Sequence, residues 1–190
     1  MTQFPPADKV AQKVVELLGG PKEATKLMEE EFDEVNRRWS QNTDTIGRIL
    51  RAHLFVEHFL SAHLQAANPQ LGSLDKVRLT FAQKVALLDP LDSRISEVRP
   101  GVMHLNAIRN RLAHRLDVSV TEADMRVFLQ APYFASLRLE GAKPGVPPSD
   151  PLEVLEAFAK YAAASFSHRL SKLSQAFAEA LRVVASDAGA

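Results

Sequence analysis

Along most of this chain apolar residues recur every three or four positions, and strict alternation of apolar with polar residues is nearly absent. An α-helix turns about 100° per residue, so this spacing lays a hydrophobic stripe along one face of each segment and predicts an all-α fold, a helical bundle. Residues 7–18 predict a short helix stopped by Gly19-Gly20-Pro21, and residues 22–39 a second one, polar over most of its surface. Asp44 is placed to cap a third helix that runs to about Ala67, before Asn68-Pro69. Ser73 precedes a fourth, which Asp89-Pro90 ends near Leu88. Pro100 suits the first turn of a fifth helix reaching about Leu116, because a first-turn residue has no use for the N–H that proline lacks. Thr121 with Asp124 three residues on is a capping-box pattern for a sixth, to about Gln130.

Residues 141–151, GAKPGVPPSDP, concentrate glycine and proline and read as a linker. Asp150-Pro151-Leu152-Glu153 then supplies an N-cap, a proline at the first helical position and a glutamate at the third. No breaker follows before about Ala185, so a continuous helix is expected, spanning roughly 52 Å at about 1.5 Å per residue. Leu152, Leu155, Ala159, Ala162, Phe166, Leu170, Leu173, Phe177, Leu181 and Val184 form a coiled-coil-like seam along it. Such a helix either folds back across the bundle or pairs with a second chain. The expected organisation is therefore N-terminal helices over 1–40, a bundle over 41–140, a linker over 141–150 and a long helix over 151–190.

Composition narrows the chemistry. A hydrophobic content of 46% is enough for a core without metals or cross-links, and zero cysteines exclude disulfides, thiolate metal sites and a cysteine nucleophile. The first ten residues, MTQFPPADKV, have neither the basic nor the apolar stretch of a secretory signal, and the apolar runs are too short for a membrane span, so a cytoplasmic protein is expected. Basic and acidic residues balance at 23 each, against a coat for long nucleic acid. The balance is not local. Glu29 to Glu34 reads EEEFDE, whereas Arg94 to Arg115 holds five arginines and one acid, Glu97.

That arginine-rich segment ends in IRNRLAHR, residues 108–115. On an ideal helix Leu105, Ile108, Leu112 and Leu116 face the core, while Met103, Ala107, Asn110 and His114 lie on the opposite side. Asn110 and Arg111 neighbour His114, whereas Arg109 sits on the flank of the apolar stripe. The third helix carries His53 and Glu57 inside its own stripe of Ile46, Ile49, Leu50, Val56, Leu60 and Leu64. A core-facing carboxylate is costly unless paired, and Arg109 is the expected partner, with His53 beside the pair.

Arg109-Asn110-Arg111-Leu112-Ala113-His114 resembles the R-x4-6-H motif of the HEPN superfamily, with a polar residue directly after the arginine. LRAHLFVEHFLSAHL, LTFAQKVALL and IRNRLAHR together are similar to a bacterial HEPN-like group that includes mannitol operon repressor-like proteins. The resemblance covers roughly residues 44 to 117. It implies a bundle that dimerises so that two motifs share one cleft, and in catalytic members that cleft cleaves RNA without a metal or cofactor. Arg109, Asn110 and His114 take the three motif positions; Glu57 corresponds to an acid on the earlier helix, with His53 and Arg111 in support.

The chemistry suits those residue types. Internal RNA cleavage needs the 2′-hydroxyl deprotonated, the phosphorane's charge balanced and the 5′-oxygen protonated. Histidine, with an unperturbed pKa of about 6.5, can move these protons near neutral pH, and arginine offers fixed planar donors to phosphate oxygens. No metal cluster is evident in the sequence, because His53, His58 and His63 are spaced by five and do not share a helix face. Three readings stand: a metal-independent endoribonuclease of the toxin or defence kind, with a neutralising antitoxin; a non-catalytic HEPN-like regulator acting through a protein partner; and a purely structural helix end, with His114 and Arg115 satisfying the helix dipole.

Overall fold

The computed structural model describes residues 5–40, 42–71, 73, 77–114 and 119–188. The described residues are helical, turn or irregular, with no strand among them. The chain divides into two compact units, Met1–Asn42 and Thr43–Ala190.

The first unit is a helical hairpin, α1 (Ala7–Leu17) followed by α2 (Pro21–Trp39). The turn between them needs Gly19 and Gly20, whose φ angles of 90° and 113° lie where a Cβ is strained. Ala24 is the buried hydrophobic residue of this hairpin. The acidic run is partly neutralised on its own helix: Glu34 accepts from both Arg37 and Arg38, which hold its carboxyl below the usual range.

The second unit contains α3 (Thr43–Ala67), α4 (Phe81–Ala86), α5 (Ser93–His114), α6 (Glu122–Phe128), α7 (Pro132–Ala142), α8 (Pro151–Ser167) and α9 (Lys172–Ala188), with short 3-10 turns at Pro69–Leu71 and His168–Leu170. Its axis is the pairing of α3 with α8. Early residues meet early ones, since Arg48 and Arg51 each donate to Glu156 at 2.7 Å, and late meet late, since His63 Nδ1 lies 3.1 Å from the Phe166 carbonyl. The two helices are therefore parallel. Small buried residues on both, Ala52 facing inward from α3 and Ala159, Ala162 and Ala163 from α8, permit close approach.

α5 and α6 pack on the same α8, and the fully buried Val102, Leu105, Ile108, Phe128, Leu155, Phe158 and Phe166 form the core with Ile49, Val56, Leu60 and Leu64. Phe158 stands at its centre, with Phe128 and Phe134 rings at 4.9 and 5.4 Å.

Several sequence expectations are corrected here. The fourth helix begins at Phe81, not near Ser73, because Thr80 and Gln83 form a reciprocal capping box. The fifth begins at Ser93, leaving Pro100 inside the helix: Asp92 Oδ1 accepts from the N–H groups of Arg94 and Ile95, and burying Ile95 and Val98 outweighs one missing backbone bond. A further helix, α7, follows α6, with Pro132 in its first turn. The long C-terminal helix is not continuous. It ends at Ser167, passes through a 3-10 turn and an extended Ser171 (ψ 118°), and restarts at Lys172. Its first half is folded back within the chain, against α3.

Candidate functional site

The motif residues occupy the C-terminal half of α5. Ile108 there is fully buried and anchors the helix, and it leaves Arg109 and Asn110 exposed beside it. Arg109 Nη1 donates to Asn110 Oδ1 at 3.2 Å, so the guanidinium and the carboxamide lie side by side. His114 is the last residue of α5; its side chain, like Arg115 and Leu116, lies outside the described residues.

The expected Glu57–Arg109 pair is not what forms. Glu57 Oε1 accepts instead from Lys84 Nζ at 2.7 Å, tying α3 to α4. Lys84 is largely buried, with 17% of its side chain exposed, and comes from a turn that the capping box at Thr80 orients. Arg109 is left with no carboxylate partner among the described residues. Nothing in LTFAQKVALL, read as part of a longer helix, points position 84 at α3.

His53 is in the core-facing position expected of it. It is 5% exposed, its ring lies 4.3 Å from that of Phe81, and its Nε2 is 3.2 Å from Asn106 Oδ1 on α5. With the amide oxygen as acceptor, Nε2 carries the hydrogen and Nδ1 faces Glu57 Oε2 at 3.9 Å. Burial depresses the imidazole's pKa; Asn106 and Glu57 oppose this, while the charges of Arg109 and Lys84 add to it. His53 thus links α3 to α5 as a neutral group within the electrostatic reach of Arg109.

Arg111 is turned away from the motif. It makes a two-pronged contact with Asp124 of α6, Nη1 to Oδ1 at 3.0 Å and Nη2 to Oδ2 at 2.7 Å. Asp124 is 3% exposed and also receives His104 Nε2 at 2.8 Å and the Thr121 N–H and hydroxyl at 2.8 and 2.9 Å. Burial pushes this carboxyl up, but Arg111, both Thr121 donors and His104 together outweigh it and hold it well below the usual carboxylate range. The capping pattern at Thr121 and Asp124 was legible in the sequence; that the same carboxylate would bind two side chains of α5 was not.

Three carboxylate centres therefore hold the second unit together: Glu57 with Lys84, Asp124 with Arg111 and His104, and Glu156 with Arg48 and Arg51. Arg109 and Asn110 remain available to an outside ligand. A guanidinium and a carboxamide side by side can bind an oxyanion, and neither moves a proton at neutral pH, so a proton donor or base must come from elsewhere. Among the described residues no group of His, Asp or Glu has the arrangement to hold a metal ion, and no helix is long and apolar enough to cross a membrane.

The fold and this site define an all-α helical bundle with an exposed arginine–asparagine pair near the end of one helix. Compared with family models, curated proteins and solved structures, the chain matches none.

Proposed function

We propose that the chain is a HEPN-like, metal-independent endoribonuclease of the toxin or defence kind, with Arg109, Asn110 and His114 as its working residues. The observation that carries this reading is the state of Arg109: exposed, hydrogen-bonded to Asn110, and claimed by no carboxylate among the described residues while Lys84 and Arg111 are both neutralised. Arg109 and Asn110 grip the scissile phosphate, and His114 moves protons to and from the 2′- and 5′-oxygens. His53 and Glu57 position the helices behind the site. Two protomers supply one composite cleft, for which the exposed Leu50 and Leu54 of α3 and Met103 of α5 offer an apolar surround.

The test is RNA cleavage by the purified full chain in EDTA, with analysis of product ends and of solution mass. Cleavage leaving 2′,3′-cyclic phosphate is expected, reduced by about 10²–10⁴-fold in His114→Ala and about 10²-fold or more in Arg109→Ala. Growth arrest on expression should vanish with the same variants. Undiminished cleavage in His114→Ala, or a monomer that cleaves, sinks the proposal.

A second reading, a non-catalytic regulator similar to mannitol operon repressors, draws on the exposed apolar side chains of α2 (Phe32 at 66%, Trp39 at 86%) and α9 (Leu173 at 80%, Phe177 at 66%), which suit a protein partner. It predicts no cleavage, and complex formation indifferent to His114→Ala.

A further inference from the structure

A cleft of about 560 Å³ opens where the start of α5, the start of α7 and the end of α8 meet, lined by Arg94, Glu97, Tyr133, Leu137, Tyr161 and His168 among others. It lies at the opposite end of α5 from Arg109, and nothing in the reading above uses it. Its volume falls in the range of small-molecule sites.

Glu97 is its singular member. The carboxylate is half-buried; Oε1 accepts from the Tyr133 N–H at 2.8 Å, and Tyr161 lines the same cleft. That donor is neutral. No lysine, arginine or histidine pairs with Glu97 among the described residues, although Arg94 lies one turn earlier on the same helix and lines the same cleft. Burial first, and then the nearby Glu97 carboxylate, push the Tyr161 hydroxyl up to about 12. The Tyr133 and Tyr161 rings stand 6.4 Å apart, tilted by 38°, with Tyr161 backed by Phe134 at 5.4 Å.

An uncompensated carboxylate next to two electron-rich rings in a concave, partly dry space is the combination that holds an organic cation. We propose that this cleft binds a small organic ammonium ion, its charge set against Glu97 and its alkyl groups against Tyr133 and Tyr161. Arg94 and His168 line the same cleft, and they favour a ligand whose far end is neutral or acidic. The inference is independent of RNA cleavage.

Choline and its uncharged carbon isostere, 3,3-dimethylbutanol, are the probes, with benzoate as the anionic control, each titrated calorimetrically into the full chain. Choline should bind and the isostere should not. Glu97→Gln keeps an acceptor for the Tyr133 N–H, so the fold is retained, and should weaken choline roughly tenfold or more; Tyr133→Leu should weaken it several-fold. Arg94→Gln should tighten choline, because it removes a competing positive charge. The proposal is overturned if choline fails to bind, if Glu97→Gln leaves its affinity unchanged in a chain with unaltered melting, or if benzoate binds instead and is lost in Arg94→Gln.

Discussion

Gly101 of α5 and Phe158 of α8 meet backbone to ring: a Cβ on the glycine would lie 2.8 Å from both Cε atoms of the phenylalanine and closer still to Cζ. Glycine is otherwise a poor choice inside a helix, weaker than alanine by up to about 1 kcal/mol. Here the helices approach so closely that only a hydrogen fits. Gly101→Ala should lower stability by about 1–3 kcal/mol despite its better helix propensity, because the buried Phe158 ring cannot move aside. Phe158→Leu in the alanine background should recover part of that loss in a thermal-melt double-mutant cycle; strictly additive effects would argue against the contact.

Asp124 gives the fold an acid-sensitive lock. Its carboxyl is depressed in the folded chain, so its contribution is present above the unfolded carboxylate value of about 3.9 and is lost as pH falls below that through the folded value. Asp124→Asn should cost about 3 kcal/mol at neutral pH, the lower end for a broken buried pair because Arg111 remains 36% exposed. The variant's stability should also fall less steeply than the wild type's below about pH 4. Parallel acid limbs would assign the low-pH behaviour to other carboxylates.

Lys84 and Arg109 separate the pairing seen from the pairing expected. Lys84→Ala strands Glu57, which is 28% exposed, and should lower stability by about 1–2 kcal/mol. Arg109→Ala should change it by no more than about 0.5 kcal/mol, as for a surface residue without a buried partner. Chemical denaturation of the two variants checks this directly. The reverse order of costs would restore Glu57–Arg109 as the operative pair.

His53 should titrate below its unfolded value of about 6.5, because burial disfavours the charged ring. The neutral ring's contribution is fully present above about pH 6.5 and is lost as pH falls from there through the folded value. NMR titration of the ring should report the lowered midpoint. His53→Gln should flatten the decline in melting temperature between about pH 7 and pH 5.

What the sequence disclosed were local signals. The reciprocal cap at Thr121 and Asp124 and the Asp150 cap, whose Oδ1 accepts from Glu153 N–H at 2.8 Å, appear as their spacing predicts. Ile108 and Leu105 are buried and Met103 and Asn110 exposed, as the helical period of α5 requires. Two of the failures share one cause, a tertiary contact with no local signature, whereas the start of α4 has a local one in the Thr80–Gln83 cap. Pro100 inside α5 is tolerated because Val98 before it and Val102 after it are buried. The break after Ser167 carries no glycine or proline; it falls where His63, more than a hundred residues earlier, bonds the Phe166 carbonyl. At the candidate site, the exposure of Asn110 followed from α5 alone, but that of an unpaired Arg109, and the roles of Lys84 and Asp124, depended on where α4 and α6 dock.

The parallel arrangement of α3 and α8 has a kinetic consequence. Its polar ties, Arg48 and Arg51 to Glu156 and His63 to Phe166, span 108, 105 and 103 positions of chain. During synthesis the apolar flank of α3 must wait until nearly all of the second unit has left the ribosome before its main neighbour exists. The interval between emergence of the first partner and arrival of the last is when this polypeptide is most exposed to aggregation or to chaperone capture.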